Sequence, residues 1–160
     1  MQTIGFEKHD HDTCAARMLG AAETYCAANK LQFTATRRRV LEILLEGHKA
    51  LGAYDILARL QQEGRGAQPS VAYRALDFLL MHGFAHKLER LNAYVACAHP
   101  HETHAPAFMI CRQCGAVAEV SSSPATSVIG QAACDAGFRI EKTVIEAEGL
   151  CPQCIAGGKT

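Results

Sequence analysis

The sequence predicts an α+β protein in two parts: an N-terminal winged helix-turn-helix and a small C-terminal α/β domain stapled by zinc. Three observations predict it. Apolar residues repeat with helical spacing through four successive stretches and then give way to two short segments of strand character. The last of these helices carries Tyr73 and Arg74 on the side away from its apolar face. Two Cys-x-x-Cys pairs then bracket a segment of mixed strand and helix character.

The first helix is expected over residues 13–30, with Leu19, Ala22 and Cys26 on one face. Thr34 and Thr36 are candidate N-caps for a second, whose stripe is Val40, Leu41, Leu44 and Leu45 and which Gly47 ends. A third, over 53–63, buries Ile56, Leu57 and Leu60 and stops at Gly64-Arg65-Gly66. The fourth starts at Pro69-Ser70 and ends at Gly83, with Ala72, Ala75, Leu76, Leu79 and Leu80 inward. Strands over 84–89 and 93–97, turning at Leu91-Asn92, complete the wing. Residues 98–107 are polar and His-rich, and are expected as a linker. Strands over 108–110 and 116–120, a helix over 124–136 ended by Gly137, and a strand over 138–147 follow. This second part is too small for a large core, so a staple or a partner subunit is expected.

In a winged helix the polar face of the recognition helix enters the major groove. Tyr73 and Arg74 suit that position, since Arg pairs bidentately with guanine. Arg37, Arg38 and Arg39 open the second helix and are candidate phosphate contacts. Residues 13–95 hold 11 Lys+Arg against 7 Asp+Glu, whereas 96–160 hold 4 against 6, so the basic surplus lies with the part expected to meet a polyanion. No apolar run is long enough to span a bilayer. Glu7, His9, Asp10, His11 and Asp12 replace the basic-then-apolar order of a signal peptide, and the expected location is the cytoplasm.

Eight cysteines in a reducing compartment point to metal before disulfides. Cys111-x-x-Cys114 and Cys151-x-x-Cys154 are two knuckles whose four thiolates complete a tetrahedron and leave no open position, which marks a structural zinc. A second grouping, His86, Cys97, His104 and Glu119, lies at the junction of the two halves. His99 and His101 compete for places in it, and spacing does not choose among them. Cys14, Cys26 and Cys134 have no assigned role beyond packing, and neither has the stretch His9–Cys14.

Several of these stretches resemble the ferric uptake regulator family, and its zinc uptake regulator branch in particular. They are Tyr73-Arg74-Ala75-Leu76-Asp77-Phe78-Leu79-Leu80, Gly83-Phe84-Ala85-His86-Lys87, Thr34-Ala-Thr-Arg37 and Ala53-Tyr54-Asp55-Ile56-Leu57. Cys111-x-x-Cys114-Gly-Ala-Val and Val144-Ile145-Glu146-Ala147-x-Gly149-Leu150-Cys151 extend the match. The resemblance implies a homodimeric, zinc-responsive repressor of zinc-uptake genes, with a winged-helix DNA-binding domain over 1–95 and an extra or disordered tail over 1–12. It implies a hinge over 96–106 and a dimerisation and zinc-binding domain over 107–160. It also implies two Zn2+ per chain, the regulatory one held by His86, Cys97, His104 and Glu119, and DNA-reading positions at Tyr54 and Arg74. Whether two dimers share one operator is left open. Val71-Ala72 stands where the family has Thr-Val, and the stretch from Cys97 to His104 is one residue shorter than usual.

The mechanism implied is that zinc at the hinge fixes the orientation of the two domains, so that two recognition helices match two half-sites. A thiolate among the ligands favours zinc over iron or manganese. The rival readings are a family member sensing another metal or peroxide, a zinc-stapled interaction module, and a zinc enzyme. A zinc deaminase needs His-x-Glu and Pro-Cys-x-x-Cys, but Leu150 precedes Cys151 and no His lies two before Glu102 or Glu119.

Overall fold

The computed structural model describes residues 3–7, 10–65, 68–102, 104–123 and 127–158. They form two compact units, one of Glu7–His101 and one of Met1–Phe6 with Glu102–Thr160. The chain opens with a two-residue strand, β1 (Thr3–Ile4), which belongs to the second unit.

The first unit contains α1 (His11–Ala28), α2 (Ala35–Leu45), α3 (Ala53–Gln62) and α4 (Pro69–Met81), then a hairpin of β2 (Ala85–Leu88) and β3 (Ala93–Ala96). Asp10 caps α1 by accepting from the Thr13 amide, and Thr34, not Thr36, caps α2 by accepting from the Arg37 amide at 3.3 Å. Pro69 occupies the first turn of α4, where its missing N–H costs nothing. Val40, Leu44, Ile56, Leu60, Leu76 and Leu79 are fully buried among these helices, each contributing about 1.5–3 kcal/mol of apolar burial. In α1 it is Met18, with Ala22 and Cys26, that is buried rather than Leu19, and Leu80 of α4 is only half-buried. Asn92 makes the hairpin turn at φ 46°, a conformation asparagine tolerates. Leu51, between α2 and α3, exchanges backbone hydrogen bonds of 2.9 and 2.8 Å with Tyr94 and so ties that connection to the wing. This is the winged helix-turn-helix expected. Gly66, placed at the turn after α3, lies outside the described residues.

The second unit adds β4 (Ala105–Cys111), β5 (Val117–Ser122), α5 (Val128–Asp135), β6 (Ile145–Gly149) and α6 (Pro152–Ala156). Its sheet runs β1-β5-β4-β6, antiparallel except for the β4–β6 pair, whose crossover contains α5. The core is thin: Phe108, Ile110, Val117, Ala118 and Ala133.

Several boundaries differ from expectation, four of them with a plain cause. The segment expected as a hinge over 96–106 contains strand at both ends, because Ala96 ends β3 while Ala105 and Pro106 already pair with Ser122 and Ser121. Pro106 is tolerated because β6 pairs only from Ala107 onward, which leaves that side of β4 open. The tail over 1–12 is not all extra chain, since β1 pairs with β5 and α1 begins at His11. The helix expected from 124 starts at Val128, capped by Ser127, and Pro124 lies outside the described residues. The strand expected over 138–147 is Ile145–Gly149, set by its parallel register with residues 107–111.

Candidate metal centres and nucleic-acid face

β4 ends at Cys111, and a turn closed by Gly115 at φ 73° carries Cys114 back over it, with the Gly115 amide donating to the Cys111 carbonyl at 2.9 Å. The β4–β6 register sets Cys111 opposite Gly149, so Cys151 follows two residues later, and α6 presents Cys154 from its first turns. The four sulfurs lie within 4.8 Å of one another. The Cys114 and Cys151 sulfurs are 3.7 Å apart, too far for a disulfide and close to the ~3.8 Å edge of a tetrahedron with zinc–sulfur bonds of about 2.3 Å. The Cys151 amide donates to Cys111 Sγ at 3.3 Å.

The thiols are unequal. Backbone amides, those of Cys114 and then Cys151 foremost, hold Cys111 down to about 6. Hydrogen bonding to the Cys151 sulfur, then burial, pushes Cys154 up to about 12. Four sulfurs this close resist ionising together unless a cation balances them. The donor set therefore fits a dication bound as a closed tetrahedron.

The other four predicted ligands fall in pairs, one pair per unit. In the first unit His86 sits on β2 opposite Val95, and Cys97 follows β3 with its amide donating to the Phe84 carbonyl at 2.9 Å. Positions 86 and 97 are diagonal neighbours on one face of the hairpin, and Cys97 is buried. In the second unit His104 Nε2 meets Glu119 Oε1 at 2.8 Å, with Glu119 buried and His104 half-buried. The Nδ1–H of His104 faces the Glu102 carbonyl at 2.7 Å, which orients the ring and leaves Nε2 to face the carboxylate. Neither competing histidine shares this placement: His101 stacks on Tyr25 at 4.3 Å and meets Phe84 edge-on, and His99 is buried beyond β3.

Tyr54 is 78% exposed in the first turn of α3, and Tyr73 and Arg74 are exposed on α4. The three arginines of α2 are engaged within their own unit. Arg37 lies 3.8 Å over the Phe78 ring and donates to the Gln32 carbonyl. Arg38 pairs with Glu23 and Glu42. Arg39 is a hub: it forks onto Glu63 at 2.8 and 2.6 Å and reaches Glu42 and Glu46. Glu63 first, and then Glu42, hold its pKa above the ordinary arginine value. Glu63 is 24 residues away in sequence, so no local pattern announced the pairing.

A winged helix followed by a sheet domain with a four-thiolate centre defines a metal-dependent DNA-binding fold. The chain belongs to the ferric uptake regulator family, whose description it matches over residues 28–148. Members of this family are transcription regulators, not enzymes. The chain is 39% identical over 144 residues to the zinc uptake regulation protein of Escherichia coli (strain K12), covering 89% of this chain and 84% of that protein. The zinc uptake regulation protein of Shigella flexneri matches equally. Among solved structures, a zinc uptake regulator complexed with zinc and DNA aligns with a TM-score of 0.83 and 38% identity, over 89% of this chain and 96% of that one. The crystal structure of holo XcZur aligns with a TM-score of 0.78 and 35% identity, over 88% of this chain and 98% of that one.

Proposed function

We propose that the chain is a zinc-responsive DNA-binding repressor of zinc-uptake genes, acting in the cytoplasm as a homodimer with zinc as corepressor. The observation that carries this is the division of the predicted regulatory ligands into two incomplete pairs, His86 with Cys97 in one unit and His104 with Glu119 in the other. Each pair supplies two donors, and a tetrahedral zinc needs four. A zinc ion supplies a fixed demand for four donors that neither of these two pairs meets alone. The residues supply the selectivity: the Cys97 thiolate beside two imidazoles and a carboxylate suits zinc better than iron. Binding both pairs at once restricts the hinge, and the population shifts toward the orientation that matches two DNA half-sites.

The Cys111, Cys114, Cys151 and Cys154 centre holds a second, structural zinc in this reading, giving two per chain. It pins β4 to α6 across a unit whose own core is thin. The same unit leaves Phe138, Val144, Ile145, Leu150 and Ile155 exposed, an apolar surface suited to the dimer partner. Tyr54, Tyr73 and Arg74 face the operator. Arg38, 44% exposed, keeps an outward edge for phosphate beside Arg37, whereas Arg39, at 20%, chiefly joins α2 to the end of α3. Operator mobility shift with and without zinc, together with zinc stoichiometry before and after mild chelation, tests the proposal. Zinc-dependent binding with one zinc easily removed is expected. Binding restored equally by iron or manganese would favour another sensor of the family.

A further inference from the structure

The winged unit is an insertion in the chain of the sheet unit, which begins with residues 1–6 and resumes at residue 102. Within the sheet unit the two crossings leave from opposite ends. β1 runs along β5 with Thr3 opposite Val120 and Ile4 opposite Glu119, so the chain departs at the Val117 end. It returns into β4 with Ala105 opposite Ser122.

The segment after β1 is fitted to its place. Gly5 has φ 140°, and a Cβ there would stand 2.6 Å from Ala118 Cα and closer still to the Val117 carbonyl oxygen. Only glycine lies this close to β5 in this conformation. The Phe6 carbonyl then accepts from Gln153 Nε2 at 2.6 Å, and Gln153 lies between Cys151 and Cys154. Residues 3–6 are thus held at two points, one beside Glu119 and one at the four-cysteine knuckle.

We infer that residues 3–6 form a clasp coupled to the regulatory metal. It covers the edge of the strand carrying Glu119 and holds the winged unit by a second tether. Anything that orders Glu119 favours docking of the clasp, and docking pre-pays part of the ordering that metal binding requires. The coupling is reciprocal: zinc at His86, Cys97, His104 and Glu119 tightens the clasp as much as the clasp tightens zinc. This rests on the proposed regulatory site.

Gly5→Val in the full-length protein tests it, with deletion of residues 1–6 as the second variant. Amide exchange over Val117–Val120 should quicken, the four-cysteine zinc should stay bound, and half-maximal operator binding should need about fivefold more free zinc or higher. In the unaltered protein, zinc should slow exchange at residues 3–6. Unchanged exchange or an unchanged zinc midpoint in both variants would overturn the clasp while leaving the regulatory site standing. Operator binding by the unaltered protein that needs no zinc would overturn both.

Discussion

His104 Nε2 lies 2.8 Å from Glu119 Oε1 while the opposite ring nitrogen of His104 faces the Glu102 carbonyl at 2.7 Å. An imidazole fixed in this way offers a metal one nitrogen in a set direction, and the carboxylate beside it offers charge. Glu119→Gln preserves shape and burial but removes that charge. The expected result is loss of the weaker of the two proposed zincs, retention of the one proposed at the four cysteines, and operator binding that no longer responds to zinc. Metal analysis after mild chelation checks it, and a variant that still holds both zincs tightly would take Glu119 out of the site.

The inequality of Cys111 and Cys154 predicts a proton count. Zinc displaces protons only from thiols that still carry them. In the metal-free fold Cys111, held down to about 6, is already a thiolate at neutral pH, and Cys154, pushed up to about 12, is not. The number of protons released on filling the four-cysteine centre should therefore fall by nearly one as pH rises from about 5 to about 7, because Cys111 no longer has one to give. Calorimetry in buffers of different ionisation enthalpy measures this directly. A count that does not change across that window would mean that Cys111 is not the thiolate singled out by its amide neighbours.

What the sequence disclosed depended on how local each signal was. The two knuckles were legible because each ligand pair spans four residues, and the face of α4 because its stripe repeats within one helix. The start of β4 was hidden by Ala105-Pro106-Ala107, small residues without β-branching after a His-rich stretch. The pairing of β1 with β5 and of Gln153 with Phe6 joins positions more than 100 residues apart, and no periodicity encodes it. The arginines of α2 were recognised as basic, but their partners Glu23, Glu42 and Glu63 lie on other turns or elements. Charge pattern alone could not show how far Arg39 is committed to them.

Arg39 is only 20% exposed and serves three carboxylates. Arg39→Ala would remove the cation that Glu63, Glu42 and Glu46 share. Destabilisation by about 1–2 kcal/mol is expected, since charged hydrogen bonds exceed ordinary surface pairs. The sign with pH follows from Glu63, whose pKa is lowered chiefly by its hydrogen bond to Arg39. Its contribution is present above the ordinary carboxylate value and is lost as pH falls below it. Denaturant unfolding at neutral and acidic pH should show the variant's deficit shrinking in acid, and a deficit that persists unchanged would place the loss elsewhere.

Arg74 gives the opposite profile. It is exposed on α4 while Ala72, Ala75 and Leu76 beside it are buried, so its side chain can be removed without disturbing the core. Arg74→Ala should leave unfolding within about 0.5 kcal/mol of the unaltered protein. A bidentate contact to a base, if lost, costs about 1–3 kcal/mol at its own position in the operator, whereas a lost phosphate contact weakens all sequences alike and flattens the salt dependence. Titrating the zinc-loaded variant against operator and scrambled DNA at several salt concentrations separates the two. Base readout requires operator affinity to fall more than scrambled affinity with little change in salt slope. Equal losses on both DNAs would make Arg74 a phosphate contact and move sequence reading to Tyr54 and Tyr73, whose side chains are also exposed.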